Sequence, residues 1–132
     1  MSQGRRRPRV LLADDDASIG RAVSRLLSES CELVGCVRDT VALFDAVARL
    51  HPDVVLLDLS LPGGTSWRAT ARSIAATTPD VKVVVFTGHD DEDLKALAGG
   101  SLAAAVVCKL RASEDLLPTI YAVVNGAAGA AG

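Results

Sequence analysis

An α/β fold, a doubly wound (βα)5 sheet of five parallel strands, is predicted by three features of the chain. Five short aliphatic or β-branched runs alternate with longer segments of helical period. The runs are almost continuously apolar, as in strands buried on both faces of a parallel sheet. Every strand-to-strand connection is of crossover length, so right-handed crossovers put helices on both faces. With five strands and no closing pattern, the expected strand order is the flavodoxin-like 2-1-3-4-5.

The elements follow in chain order. Val10-Leu11-Leu12-Ala13 is the first strand, and Ile19, Val23, Leu26 and Leu27 give one face of the first helix. Leu33 to Val37 is the second strand, and a helix with Leu43, Val47 and Leu50 on one face follows, with Thr40 as its start signal. Val54-Val55-Leu56-Leu57 is the third strand, and Trp67, Ala71, Ile74 and Ala75 mark the buried face of the third helix. Val81 to Phe86 is the fourth strand, followed by a short fourth helical segment, Asp91 to Ala98, with Leu94 and Leu97 as its apolar anchors. Ala103 to Cys108 is the fifth strand. Leu116, Ile120, Val123 and Val124 mark the last helix, with a start signal at Ser113. Pro118 costs this helix a hydrogen bond, so it should begin nearer Leu116 or bend there.

The domain should span residues 9–125, with a basic tail over 1–8 and a Gly/Ala tail, or the start of a linker, over 126–132. A composition of 49% apolar and 23% charged residues is that of a globular protein. A net charge of −2 gives no clustered basic surface for direct nucleic-acid binding. Cys31, Cys36 and Cys108, an odd number without CxxC spacing, read as buried or half-buried thiols in a reducing compartment. No apolar stretch approaches the ~20 residues needed to span a bilayer, so no membrane association is expected. With no leader pattern at the polar N-terminus, the expected location is cytoplasmic.

Ligands of such sheets bind beyond the carboxyl ends of the strands, where strand order reverses. Asp14 and Asp15 follow the first strand, Asp58 ends the third, Thr87 ends the fourth and Lys109 follows the fifth. Asp16 is better placed to cap the first helix than to bind metal. Three carboxylates brought together repel unless a cation neutralises them, and Mg²⁺ suits a site with few carboxylates, retained water and a phosphate oxygen; Mn²⁺ would serve the same ligands. A carboxylate is also a competent phosphoryl acceptor. The transferring group then needs fixed positive partners for its three oxygens. The metal can take one, Lys109 a second, and Thr87 with the Gly88 amide a third.

The segments VLLADDD, PDVVLLDLSLPGG, VVVFTG and VVCK resemble, in order, the blocks of the response-regulator receiver family of two-component systems, typified by CheY-like domains. The resemblance implies that Asp58 is the phosphoacceptor, Asp15 a direct metal ligand, Asp14 the holder of metal-bound water and the Ser60 backbone carbonyl a third protein ligand. It also implies that Thr87 is the switch hydroxyl and Lys109 the phosphate-pairing lysine. Ser60 and His89 occupy the two places that tune hydrolysis of the phosphoryl group. The expected partners are a sensor histidine kinase or histidine phosphotransfer protein. Output is expected through a partner or homodimer face formed by the fourth helix, fifth strand and fifth helix. Three departures touch the usual route of output rather than the chemistry. Val106 stands where an aromatic residue is usual, Leu110 follows the lysine where proline is usual, and the glycines before the fifth strand fall at Gly99 and Gly100.

A phosphohydrolase working through an aspartyl phosphate would need a second carboxylate at Ser60, and a flavodoxin-like redox carrier would want a phosphate-binding loop where Asp14 and Asp15 stand. A phosphorylation-independent pseudo-receiver is the remaining alternative, but such a domain would normally lack one of the five site residues, and all five are here. The expected activity is that of a signalling phosphoacceptor, catalysing only its own phosphorylation and dephosphorylation.

Overall fold

A computed structural model of the protein describes residues 7–88 and 103–125. The expected fourth helical segment, His89, Gly99 and Gly100 lie outside the described residues. Five parallel strands, β1 (Arg9–Ala13), β2 (Glu32–Val37), β3 (Val54–Leu57), β4 (Lys82–Thr87) and β5 (Ala105–Cys108), form one sheet in the order 2-1-3-4-5. Helices α1 (Ala17–Leu27), α2 (Thr40–Leu50) and α3 (Trp67–Thr77) and a last helix (Ala112–Val124) cover it. No helix among the described residues is long and apolar enough to cross a membrane.

The two-residue period of the strands divides the core into two layers. Val10, Leu12, Val54, Leu56, Val84 and Phe86 pack with α1 and the last helix, through Val23, Leu27, Leu116, Ile120 and Val123. Leu11, Ala13, Val55, Leu57 and Val83 pack on the other face with α2 and α3, through Leu43, Val47, Ala71 and Ile74. The three central strands are therefore pinned from both sides. Their register follows: Ala13 pairs with Leu57, so β1 and β3 end in step, while β4 runs two residues past the Leu57–Val85 pair to Thr87.

Several expectations are corrected. β2 is an edge strand with exposed or half-exposed residues, not one buried on both faces, because only β1 flanks it. Cys36 on that strand is accordingly exposed, while Cys31 and Cys108 are buried. The α2 cap is Asp39 rather than Thr40: its extended backbone lets its carboxylate accept from the Ala42 N–H. β4 starts at Lys82 and β5 at Ala105, so Val81, Ala103 and Ala104 precede the strands. On α3, Trp67 is only half-buried and Ala75 is exposed. The last helix begins at Ala112, after a 3-10 turn over Lys109–Arg111, and runs through Pro118. No side chain caps it; Arg111 instead pairs with Glu114 and Asp115 across the first turn. Val124 is 37% exposed and lies off the buried face.

Candidate functional site

Asp14 and Asp58 are the first residues past the paired strands β1 and β3. Each continues the ladder, the Asp14 N–H donating to the Val37 carbonyl (2.9 Å) and the Asp58 N–H to the Ala13 carbonyl (3.0 Å). Both are buried, with 5% and 7% exposure, whereas Asp15 is exposed on the turn into α1. One carboxylate oxygen from each of the three lies within 4.8 Å of the others.

Lys109 opens the 3-10 turn beyond β5, and its ammonium lies 2.6 Å from Asp14 Oδ2 and 3.6 Å from Asp58 Oδ2. It also stands 5.7 Å from the Phe86 ring centroid, an arrangement that favours a cation over the ring face. Asp14 Oδ2 is buried and receives no aligned hydrogen bond from the described residues. Its contact with Lys109 is an ion pair without the direction of a hydrogen bond, so its charge is compensated but its lone pairs are not satisfied. Among the described residues one ammonium faces three carboxylates, which leaves an excess of negative charge among them.

The remaining oxygens are held locally. Asp14 Oδ1 accepts from the Asp16 N–H (2.9 Å), and Asp58 Oδ1 accepts from both the Ser60 N–H and the Ser60 hydroxyl (3.2 Å each). Asp16 caps α1 through the Ser18 N–H; the Ser18 hydroxyl, then its amide, hold the Asp16 carboxyl below its ordinary range. It is occupied as a cap, not gathered into the cluster. Arg38 reaches from the end of β2 to donate to the Asp15 carbonyl (3.3 Å), tying the β1–α1 turn to the sheet.

Thr87 ends β4 opposite Cys108 and is buried, with Gly88 exposed beside it; a Cβ at Gly88 would meet none of the described residues within 4 Å. Val106 is half-buried and packs, with Leu59 and Trp67, against Val85 and Ala103. Leu110 is 83% exposed. The structure thus gathers Asp14, Asp15, Asp58 and Lys109, and places Thr87 and Gly88 at the end of the neighbouring strand. Sequence reasoning missed the donation of the Ser60 hydroxyl and amide to Asp58, which the Asp-x-Ser spacing could have signalled. It also missed Arg38 and the contact of Thr40 with the Pro62-Gly63 turn.

Residues 10–121 match the response regulator receiver domain family. The oxygen regulatory protein NreC of Staphylococcus epidermidis is 31% identical over 120 residues, covering 89% of this chain and 55% of that protein. The chain therefore spans about half the length of the curated relatives it matches. The non-phosphorylated receiver domain of the stress response regulator RcsB from Escherichia coli superposes with a TM-score of 0.83 at 23% identity, covering 92% of this chain and 95% of that one. A LuxR-family two-component response regulator from Aurantimonas sp. gives 0.82 at 24%, covering 92% and 87%. Both similarities are of fold.

Proposed function

The chain belongs to the response regulator receiver domain family, and on that premise we propose that it is a phosphoacceptor whose Asp58 is phosphorylated by a sensor histidine kinase or a histidine phosphotransfer protein. The observation that carries this reading is the convergence of Asp14, Asp15 and Asp58 at adjacent strand ends, with one ammonium contacting two of them.

The donor set fits a hard divalent cation. Three carboxylates stand together, and a buried Asp14 oxygen, paired with the Lys109 ammonium, receives no aligned hydrogen bond from the described residues. Asp15, Asp58 and the Ser60 carbonyl would hold Mg²⁺ or Mn²⁺ directly, and Asp14 through water. When bound, the ion neutralises the carboxylates and the charge on the transferring group.

Asp58 is the nucleophile. A carboxylate oxygen attacks phosphorus, the P–N bond of the donor phosphohistidine breaks, and its electron pair leaves on the imidazole nitrogen, which takes up a proton. The Ser60 amide and hydroxyl fix the Asp58 carboxylate by holding Oδ1. Lys109 pairs with one phosphoryl oxygen, while the Thr87 hydroxyl and the Gly88 amide take another. Hydrolysis reverses the state: water attacks phosphorus, the P–O bond to Asp58 breaks, and inorganic phosphate leaves. Ser60 flanks that approach. His89, outside the described residues, is proposed to tune the same step. The drawing of Thr87 toward the phosphoryl group would alter the face that includes β5 and the last helix, where a partner or a second copy would dock. The domain acts as a switch rather than on a separate substrate, and neither DNA nor a membrane is its own ligand.

Intact mass spectrometry after incubation with acetyl phosphate and Mg²⁺ tests the reading. One phosphoryl mass is expected on the wild type and none on Asp58→Asn. An undiminished adduct on Asp58→Asn, or none on the wild type, would overturn it.

A further inference from the structure

The turn that follows Asp58 is fixed from outside the cluster. Its own bonds are few: the Ser60 N–H and hydroxyl to Asp58 Oδ1, and the Leu61 N–H to the Asp58 carbonyl (3.2 Å). Beyond Leu61, whose side chain is buried in the α2–α3 layer, the chain passes through Pro62, Gly63 and Gly64, and both glycines have positive φ (129° and 80°). Two glycines in that region give the turn little stiffness of its own.

Thr40, the first residue of α2, supplies the stiffness. Its N–H donates to the Pro62 carbonyl (3.0 Å) and its hydroxyl to the Gly63 carbonyl (3.3 Å), and the residue is 2% exposed. The fit is close. A Cβ added at Gly63 would come within 2.1 Å of Thr40 Oγ1 and 2.9 Å of the Thr40 nitrogen. Neither a capping role, which Asp39 fills, nor burial alone explains a hydroxyl turned onto this turn.

We propose that Thr40 is a positioning residue for phosphoryl transfer: its two hydrogen bonds clamp the Pro62-Gly63 turn and so hold Ser60 in place to fix the Asp58 carboxylate. The proposal rests on the assignment of Asp58 as phosphoacceptor. Thr40 touches no reacting atom. Its effect runs from the α2 N-terminus to the turn, from the turn to Ser60, and from Ser60 to Asp58 Oδ1. Positional errors of this kind act on the rate of transfer more than on donor binding.

The test uses three variants of the full chain and two readouts. Thr40→Val removes the hydroxyl and keeps the branched shape, Thr40→Ser restores the hydroxyl, and Gly63→Ala pushes the turn off an intact Thr40. The first readout is amide hydrogen exchange without any ligand. Exchange at Ser60 and Leu61 should quicken about fivefold in Thr40→Val, the scale of one lost hydrogen bond, with β3 amides unchanged. The second is phosphorylation by acetyl phosphate with Mg²⁺, where the limiting rate should fall about as much with an unchanged KM. Thr40→Ser should recover both, and Gly63→Ala should reproduce the local loss if Thr40→Val does not fold. Wild-type behaviour of Thr40→Val, exchange that quickens uniformly over the chain, or a serine variant as impaired as the valine would each overturn the clamp. If the wild type takes up no phosphoryl group, the phosphoacceptor reading fails, and the exchange readout still decides whether Thr40 holds the turn.

Discussion

Asp58→Asn should make the protein more stable, not less, when no divalent cation is present. Asp58 lies within 4.8 Å of an Asp14 oxygen, a repulsion of about 3.5 kcal/mol at an effective dielectric of roughly 20. Lys109, 3.6 Å from Asp58 Oδ2, offsets it with about 4.6 kcal/mol of attraction on the same scale. Exposed Asp15 adds roughly 1 kcal/mol of screened repulsion, so the Coulomb terms cancel. Two terms decide the outcome. Holding a carboxylate at 7% exposure costs several kcal/mol of lost hydration, about 3–4 here. The two Ser60 bonds weaken when their acceptor becomes a neutral amide oxygen, by about 1–2 kcal/mol together. The balance is a stabilisation of about 2 kcal/mol, since asparagine keeps the shape and the acceptor. Urea unfolding at low ionic strength with a chelator reads it directly. Added Mg²⁺ should narrow the gap by stabilising the wild type through binding. A variant less stable than wild type in chelator would mean that the cluster is held together by net attraction, and the argument from charge crowding would fail.

Asp15→Asn should leave the unfolding curve nearly unchanged, because Asp15 is exposed, and should weaken Mg²⁺ binding measured by calorimetry; equal affinity would remove Asp15 from the ligand set. Leu116→Ala, at a fully buried position of the last helix, should cost about 2–5 kcal/mol in urea unfolding, and a loss under ~1 kcal/mol would show that the helix is not docked there. The Asp16 carboxyl is held below its ordinary value of 3.8 by its Ser18 bonds. Its capping contribution is therefore present above that value and lost as pH falls through its lower folded value. The stability difference between wild type and Asp16→Ala should shrink only in acid, and a difference independent of pH would show that the charged cap is not what helps.

What was legible in the sequence was whatever depends on continuous burial or on position at a strand end. β3 was read to the residue because Val54 to Leu57 are buried on both sides of the sheet. Asp14 and Asp58 followed, since a polar residue directly after such a run must sit at its edge. β2 misled because its apolar residues suggest a core strand, although its place at the sheet margin leaves Cys36 exposed. Asp39 and Thr40 are both good caps; which one acts depends on the backbone of Asp39, at φ −154°, and that is not written in residue type. The start of the last helix was hidden by Pro118, because Arg111 secures the first turn by ion pairs to Glu114 and Asp115 instead of by a capping side chain. The Thr40 clamp joins residues 23 positions apart, and no local pattern predicts such a contact.

The two buried carboxylates are not free to relax away from one another. Their N–H groups belong to the hydrogen-bond ladder of the sheet, and the strands they end are locked by both core layers. Loops carrying the same residues would let the charges swing into water, at the expense of a fixed site. Here only Asp15 of the three is exposed, and among the described residues the compensating charge is Lys109, nearer Asp14 at 2.6 Å than Asp58 at 3.6 Å. That asymmetry matters for the proposed chemistry. An ammonium seated fully on Asp58 would lower the nucleophilicity of the attacking oxygen, whereas one seated on Asp14 stays close enough to meet a phosphoryl oxygen once the group is attached. The fold therefore holds Lys109 nearer to Asp14 than to Asp58, an arrangement that suits the proposed transfer to Asp58. Rigidity at the strand ends is what maintains that arrangement.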